Sequence, residues 1–172
     1  MGKGEYLRDQ AVCLGLCDEW FRAWPDGLDD EGLADRYLRG IDFSIKHDWP
    51  DKGYIKEHFS VEFLHSHGIY VDECVKLPDG DKCLDKYVLL GGCTGEIVFR
   101  GFAVTCLYVR HGSDITVVAN DFANVRIFCY DNSKVHVVGD SAHHVYVYSY
   151  DDAFVRGDGN VIIRQRGYHD EL

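Results

Sequence analysis

The chain has 172 residues, 46% of them hydrophobic and 13% aromatic, with a formal net charge of −11. That length suits one domain, or one domain with an appendage, and the composition excludes a largely disordered chain. Acid outweighs base throughout, with eight Lys/Arg against fourteen Asp/Glu in residues 1–62 and ten against fifteen in 63–172, so direct nucleic-acid binding is disfavoured and a basic or nucleic-acid-binding protein is the easier partner.

Residues 1–68 read as a helical region. A first helix over residues 5–24 places Cys13, Cys17, Trp20 and Trp24 on one stripe, and Pro25-Asp26-Gly27 stops it. A second runs from Asp30 to His47, with Leu33, Tyr37, Ile41 and Ile45 four apart. Asp48-Trp49-Pro50-Asp51 has the chemistry of a helix start, and the third helix carries Ile55, Phe59 and Phe63 inward to end near Gly68.

Residues 69–172 read as a β-repeat region. Ile69, Val71, Val75 and Leu77 alternate as in a strand, Pro78-Asp79-Gly80-Asp81 turns the chain, and Tyr87 to Leu90 returns as a second strand before Gly91-Gly92. Branched pairs then recur every ten residues at Ile115/Val117, Val125/Ile127, Val135/Val137 and Val145/Val147. A step of twenty aligns Tyr108, Phe128 and Tyr148, then Arg110, Tyr130 and Tyr150, then Cys106, Arg126 and Tyr146. A meander gives alternate strands no reason to differ, whereas a two-sided coil does, so the spacing predicts an α+β chain with N-terminal helices packed on a β-solenoid of about 20 residues per turn. A β-sandwich or a cupin-like barrel is the alternative. Leu107, Val125/Ile127 and Val145/Val147 line one inner wall, and Ile115/Val117, Val135/Val137 and Val155 the other. Small residues at 103, 113, 123, 133 and 153 sit at corners, with Asp114, Asp121, Asp131, Asp140 and Asp151 as turn formers. With no linker between them, helices and repeats are expected to pack as one unit.

On this Val-x-Val pattern, residues 95–165 resemble right-handed single-stranded β-helices such as bactofilins and bacterial adhesin heads, at the level of fold and with no functional residue implied. The stretch Asp35-Arg36-Tyr37-Leu38-Arg39-Gly40-Ile41-Asp42-Phe43 through Lys46-His47-Asp48-Trp49-Pro50 is similar to the start of uncharacterised bacterial proteins with valine-rich tails.

No nucleophile elbow, P-loop or His-Glu-x-x-His helix is present, so no catalytic residue is assigned and no cofactor is expected. The candidate binding surface is the outward face of Tyr108, Arg110, Arg126, Phe128, Tyr130, Tyr146, Tyr148 and Tyr150. Its six aromatics, each half exposed, would make an apolar patch on the order of 600 Å². The competing reading folds the helices of Trp20 and Trp24 over that face as core. His65-Ser66-His67 with Glu73 and Gly80 resembles a first cupin motif, a metal-binding alternative weakened by the misplaced glutamate and the missing second motif. Gly157-Asp158-Gly159-Asn160 reads as a tight turn, and His143-His144 cannot chelate together from one strand. The seven cysteines lack a Cys-x-x-Cys pair and read as small buried thiols of a reducing compartment. No stretch has the length of a signal-peptide core or a membrane span, so the expected location is cytoplasmic. The functional expectation is a non-enzymatic acidic protein-binding module of the inhibitor or immunity type, with a cupin-like enzyme and a self-assembling scaffold as alternatives; homo-oligomers stay open.

Overall fold

The computed structural model describes residues 2–77 and 83–171, which fall into two compact units, one running to Phe59 and the other spanning Ser60–His169. The predicted turn at Pro78-Asp79-Gly80-Asp81 lies outside the described residues. Among the described residues no helix is long and apolar enough to cross a membrane.

The first unit is helical, with α1 (Lys3–Cys13), α2 (Asp18–Arg22), α3 (Asp30–Arg39), α4 (Ile41–His47) and α5 (Lys52–His58). The two long helices expected from spacing are each divided at a glycine. Gly15 adopts φ +94°, and the Gly15 and Leu16 amides donate back to the Val12 and Ala11 carbonyls, a left-handed C-terminal cap that closes α1. Gly40 stands between α3 and α4. The cap of α5 is Asp51, whose side chain accepts from the Gly53 and Tyr54 amides, while Asp48 takes a left-handed conformation at the end of α4. Leu7, Trp24 and Leu33 form this unit's core, packed against Trp49 and Tyr54.

The second unit opens with α6 (Val61–Ser66), capped by Ser60. The predicted third helix is interrupted because Phe59 and Ser60 are both extended. Ten strands follow: β1 (Ile69–Val71), β2 (Lys86–Leu90), β3 (Thr94–Phe99), β4 (Val104–Val109), β5 (Asp114–Ala119), β6 (Asn124–Cys129), β7 (Lys134–Gly139), β8 (Val145–Ser149), β9 (Phe154–Gly159) and β10 (Val161–Gln165). They form two sheets, ordered β1-β2-β4-β6-β8-β10 and β3-β5-β7-β9, with parallel pairing between neighbours. The chain is a parallel β-solenoid of about five turns. A meander, sandwich or barrel built from hairpins would pair consecutive strands antiparallel, so those alternatives are excluded. β2 likewise runs parallel to β1 instead of returning beside it, which starts the coil before Gly91-Gly92.

The interior follows the predicted walls. Leu107, Ile127 and Val147 stack in register on one side and Ile115 and Val135 on the other, all essentially inaccessible. Ser113, Ala123 and Ser133 are buried at the corners, where larger side chains would crowd the bend. One of the predicted turn formers is misplaced: Asp114 begins β5, whereas Asp140 lies between β7 and β8; Asp121, Asp131 and Asp151 take the left-handed conformation. The last coil is shortened, since Val161 pairs with Val145, a step of 16 where β1 to β2 steps by 19 and the coils between β2 and β9 by 20. Gly157 makes this possible: a Cβ there would lie 2.8 Å from Val161 and 3.3 Å from Ile163, which occupy the space a side chain would need. Gly157, Asp158 and Gly159 are strand residues of β9, Gly159 at φ +81°, and Asn160 alone links β9 to β10.

Val137 is fully buried opposite Val117 across the register, while Thr116, paired with His136, belongs to the alternating outer set. Val137→Asp should bury an unpaired carboxylate and destabilise the repeat unit by several kcal/mol, whereas Thr116→Asp should cost about 1 kcal/mol or less. Thermal unfolding of the two variants checks the difference.

Candidate functional site

The outer face of the larger sheet is built by the coil register itself. Phe128 pairs with Tyr108 on one side and Tyr148 on the other, which stacks their rings at 4.9 and 5.1 Å with interplanar angles of 10° and 14°. Tyr130 and Tyr150 stack beside them at 4.8 Å. At the end of the ladder Arg164 lies over Tyr146 and Arg166 over Tyr148, at 5.8 and 5.4 Å from the ring centres. Tyr146, Arg126 and Cys106 share the third column.

Register brings all eight predicted residues onto or beside this face, but their accessibility is uneven. Tyr108, Arg110 and Tyr130 are buried, Phe128, Tyr146, Tyr148 and Tyr150 are half-buried, and Arg126 is exposed. None of the six aromatics shows half its area. Stacking hides ring faces from water, so the apolar surface left is on the order of 300 Å² at most, within what monomers ordinarily carry. Trp24, the residue expected to cover the face in the competing reading, belongs to the helical unit's own core with Leu7, Leu33 and Trp49.

Arg110 turns to the corner instead. Its Nε and an Nη donate to Asp131 at 3.1 and 3.3 Å. Asp131 also accepts from the His111 amide, and Asp151 accepts from the Asp131 amide, the His169 amide and the His169 ring at 2.8–2.9 Å. Asp131, Asp151 and His169 are, among the described residues, the group whose ligand atoms converge closely enough to hold a metal ion. Their oxygens already accept from these donors, the Arg110 guanidinium among them. The corner reads as a structural clamp.

The cupin-type set does not assemble. His65 Nε2 meets Glu73 Oε2 at 2.9 Å and its ring stacks on Tyr70, but His67 Nδ1 faces the Phe63 carbonyl of its own helix. With α6 ending between them and no barrel around them, the two histidines point to different partners; Gly80 lies outside the described residues. His143 and His144 sit exposed in the corner before β8. The cysteines depart from expectation too: Cys93 and Cys129 are buried, but Cys13, Cys17 and Cys74 are exposed. Burial pushes the Cys83, Cys93, Cys106 and Cys129 thiols up, which removes them as thiolate nucleophiles at neutral pH.

A second surface escaped the sequence reading. Phe102 and Phe122, at the corners after β3 and β5, stack at 5.1 Å and 7° while remaining 82% and 50% exposed, with Val104 beside Phe102 in sequence at 65%. The twenty-residue step aligns them as it does the ladder, but corner positions are expected to be polar and the Val-x-Val pattern passes over them. Comparisons with protein-family models, curated proteins and solved structures give no match to this chain.

Burial pulls the Asp151 carboxyl up, but the amides of Asp131 and His169 and the His169 ring outweigh it and hold it below the usual range. A carboxyl depressed in the folded state contributes stability above its unfolded pKa of about 3.9 and loses that contribution as pH falls through the folded value. Asp151→Asn should lower stability at pH 7 by about 1–3 kcal/mol, and denaturant titrations should show the deficit shrinking below about pH 4.

Proposed function

We propose that the chain is a non-enzymatic protein-binding module of the inhibitor or immunity type, which acts by occupying a partner's surface. The observation that carries this reading is the exposed Phe102–Phe122 stack, at corners joined by hydrogen bonds from the Gly101 amide to Asp121 and from the Phe122 amide to the Gly101 carbonyl. Large apolar side chains presented on a fixed scaffold are suited to binding because little conformational entropy is lost when a partner covers them. Arg126 and the half-buried edges of Phe128, Tyr146, Tyr148 and Tyr150 supply a second, more polar contact surface of the residue types that concentrate binding energy.

The net charge of −11 favours a basic or nucleic-acid-binding protein as partner, by steering at long range. At contact, however, the ladder face carries Arg126, with Arg164 over Tyr146 and Arg166 over Tyr148, cations that suit carboxylates on a partner within the screening length of roughly 8 Å. A basic protein with a local carboxylate patch satisfies both conditions.

Phe102→Ser combined with Phe122→Ser should leave the melting temperature within a few degrees and weaken partner capture at least roughly thirtyfold, the loss of about 2 kcal/mol expected from removing even one such anchor. Quantitative pull-down from the source cell, with Tyr148→Ala as the comparison, checks this. Retention of every captured protein by the double variant would remove the reading's main support. Assembly between copies is the second reading, favoured by β10, the last strand of its sheet, which carries Ile163 at 43% exposure. It requires the mass measured by light scattering to rise with concentration and Ile163→Lys to abolish the rise.

A further inference from the structure

The chain's three tryptophans, Trp20, Trp24 and Trp49, all line one cavity of about 340 Å³ inside the helical unit, together with Phe43, Arg36 and Arg39. Its volume is in the range of small-molecule sites, and its walls are mostly apolar, with five aromatic rings and a few polar groups. Two features mark it as more than a packing gap. Trp24 is only 6% exposed, yet its indole N–H has no hydrogen-bond partner. A buried donor without an acceptor is costly, and an acceptor in the cavity would satisfy it. Arg36 lies over the rings of both Trp20 and Trp24, at 5.9 and 5.2 Å, and donates to the Ala23 carbonyl. It forms no ion pair among the described residues, and its partial burial pulls its pKa down. An anion beside it would reverse that effect. Arg39 adds a second cation that is paired with Asp35 at 3.4 Å, and exposed Asp42 sets one carboxylate against these donors.

We infer that this cavity is a binding site for a small planar aromatic carboxylate, its ring among the tryptophans and its carboxylate accepting from the Trp24 indole N–H beside Arg36. The site lies wholly within the helical unit and is independent of the protein-binding surfaces of the solenoid.

The test uses the full chain labelled with nitrogen-15, in which the three indole N–H resonances report directly on the cavity, titrated with 2-naphthoate and with neutral 2-naphthalenemethanol. The expected result is a saturable shift of the Trp24 indole resonance by 2-naphthoate, with a dissociation constant below about 100 μM and at least about tenfold weaker binding of the alcohol. Trp24→Phe keeps the ring and removes the donor, and should weaken 2-naphthoate about tenfold by calorimetry. If that variant misfolds, Arg39→Ala at an exposed position should weaken 2-naphthoate about threefold without changing the alcohol. No shift of any indole resonance up to about 5 mM would overturn the site. Equal affinity for acid and alcohol, or undiminished binding by Trp24→Phe, would overturn the assignment of a carboxylate held by the indole donor.

Discussion

Everything in the repeat unit depends on a hydrogen bond that crosses from each coil to the one before it at the corner. Gly91, His111, Asp131 and Asp151 occupy the same corner of successive coils, all with φ between +52° and +79°. Each side chain accepts the amide of its predecessor: His111 from Gly91, Asp131 from His111 and Asp151 from Asp131, every one at 2.9 Å. At the opposite corner Asp121 does the same for Gly101. A left-handed conformation costs a non-glycine residue about 1–2 kcal/mol, while a hydrogen bond to a charged acceptor returns about 1.5–3 kcal/mol, so aspartate is stable where it would otherwise be strained. Asn and Asp also tolerate this region better than other side chains, which a β-branched residue at the same place would not.

That clamp fixes the register, and the register determines the surface. Parallel strands in neighbouring coils are separated by about 4.8 Å, so identical positions must either stack or clash. Aromatic rings stack, giving the separations of 4.8–5.1 Å along Tyr108–Phe128–Tyr148, Tyr130–Tyr150 and Phe102–Phe122. The same geometry hides the ring faces in the sheet ladder and leaves them open at the corner, where Phe102 is 82% and Phe122 50% exposed. Aromatic content is therefore a poor guide to exposure in this architecture.

The helical unit solves a different problem. Its helices are short, and helices of this length gain their stability from packing rather than from their own hydrogen bonds. Breaks at Gly15 and Gly40 turn successive helices around Trp24, Leu7 and Leu33, and bulky rings meeting at such angles do not fill space completely. The cavity lined by Trp20, Trp24 and Trp49, with the unpaired Trp24 N–H, lies within this helical unit.

The amino-acid sequence by itself determined the solenoid, because a parallel coil repeats its environment every turn and the same residue type must return. Val125, Ile127, Val135 and Val137 could be assigned to opposite inner walls from spacing alone, and the columns at 106, 108 and 110 could be aligned before any contact was known. Helix division was also written in the chain at Gly15 and Gly40, but apolar spacing continues across both and masked the breaks. What only the tertiary structure decided was accessibility and pairing. Phe128 in β6 and Tyr130 just after it are two positions apart with the same expected orientation, yet Tyr130 is buried and Phe128 half-open, since exposure depends on what lies across the ladder and not on the period. His65 and His67 are two residues apart, but the end of α6 sends them to Glu73 and to the helix backbone. Arg110 joins the corner clamp because Asp131 arrives one coil later, and Trp20, Trp24 and Trp49 share a cavity only after the helices have folded back. Periodicity encodes neighbours one turn away; contacts set by the direction in which a helix or corner turns are not periodic, and a linear pattern does not carry them.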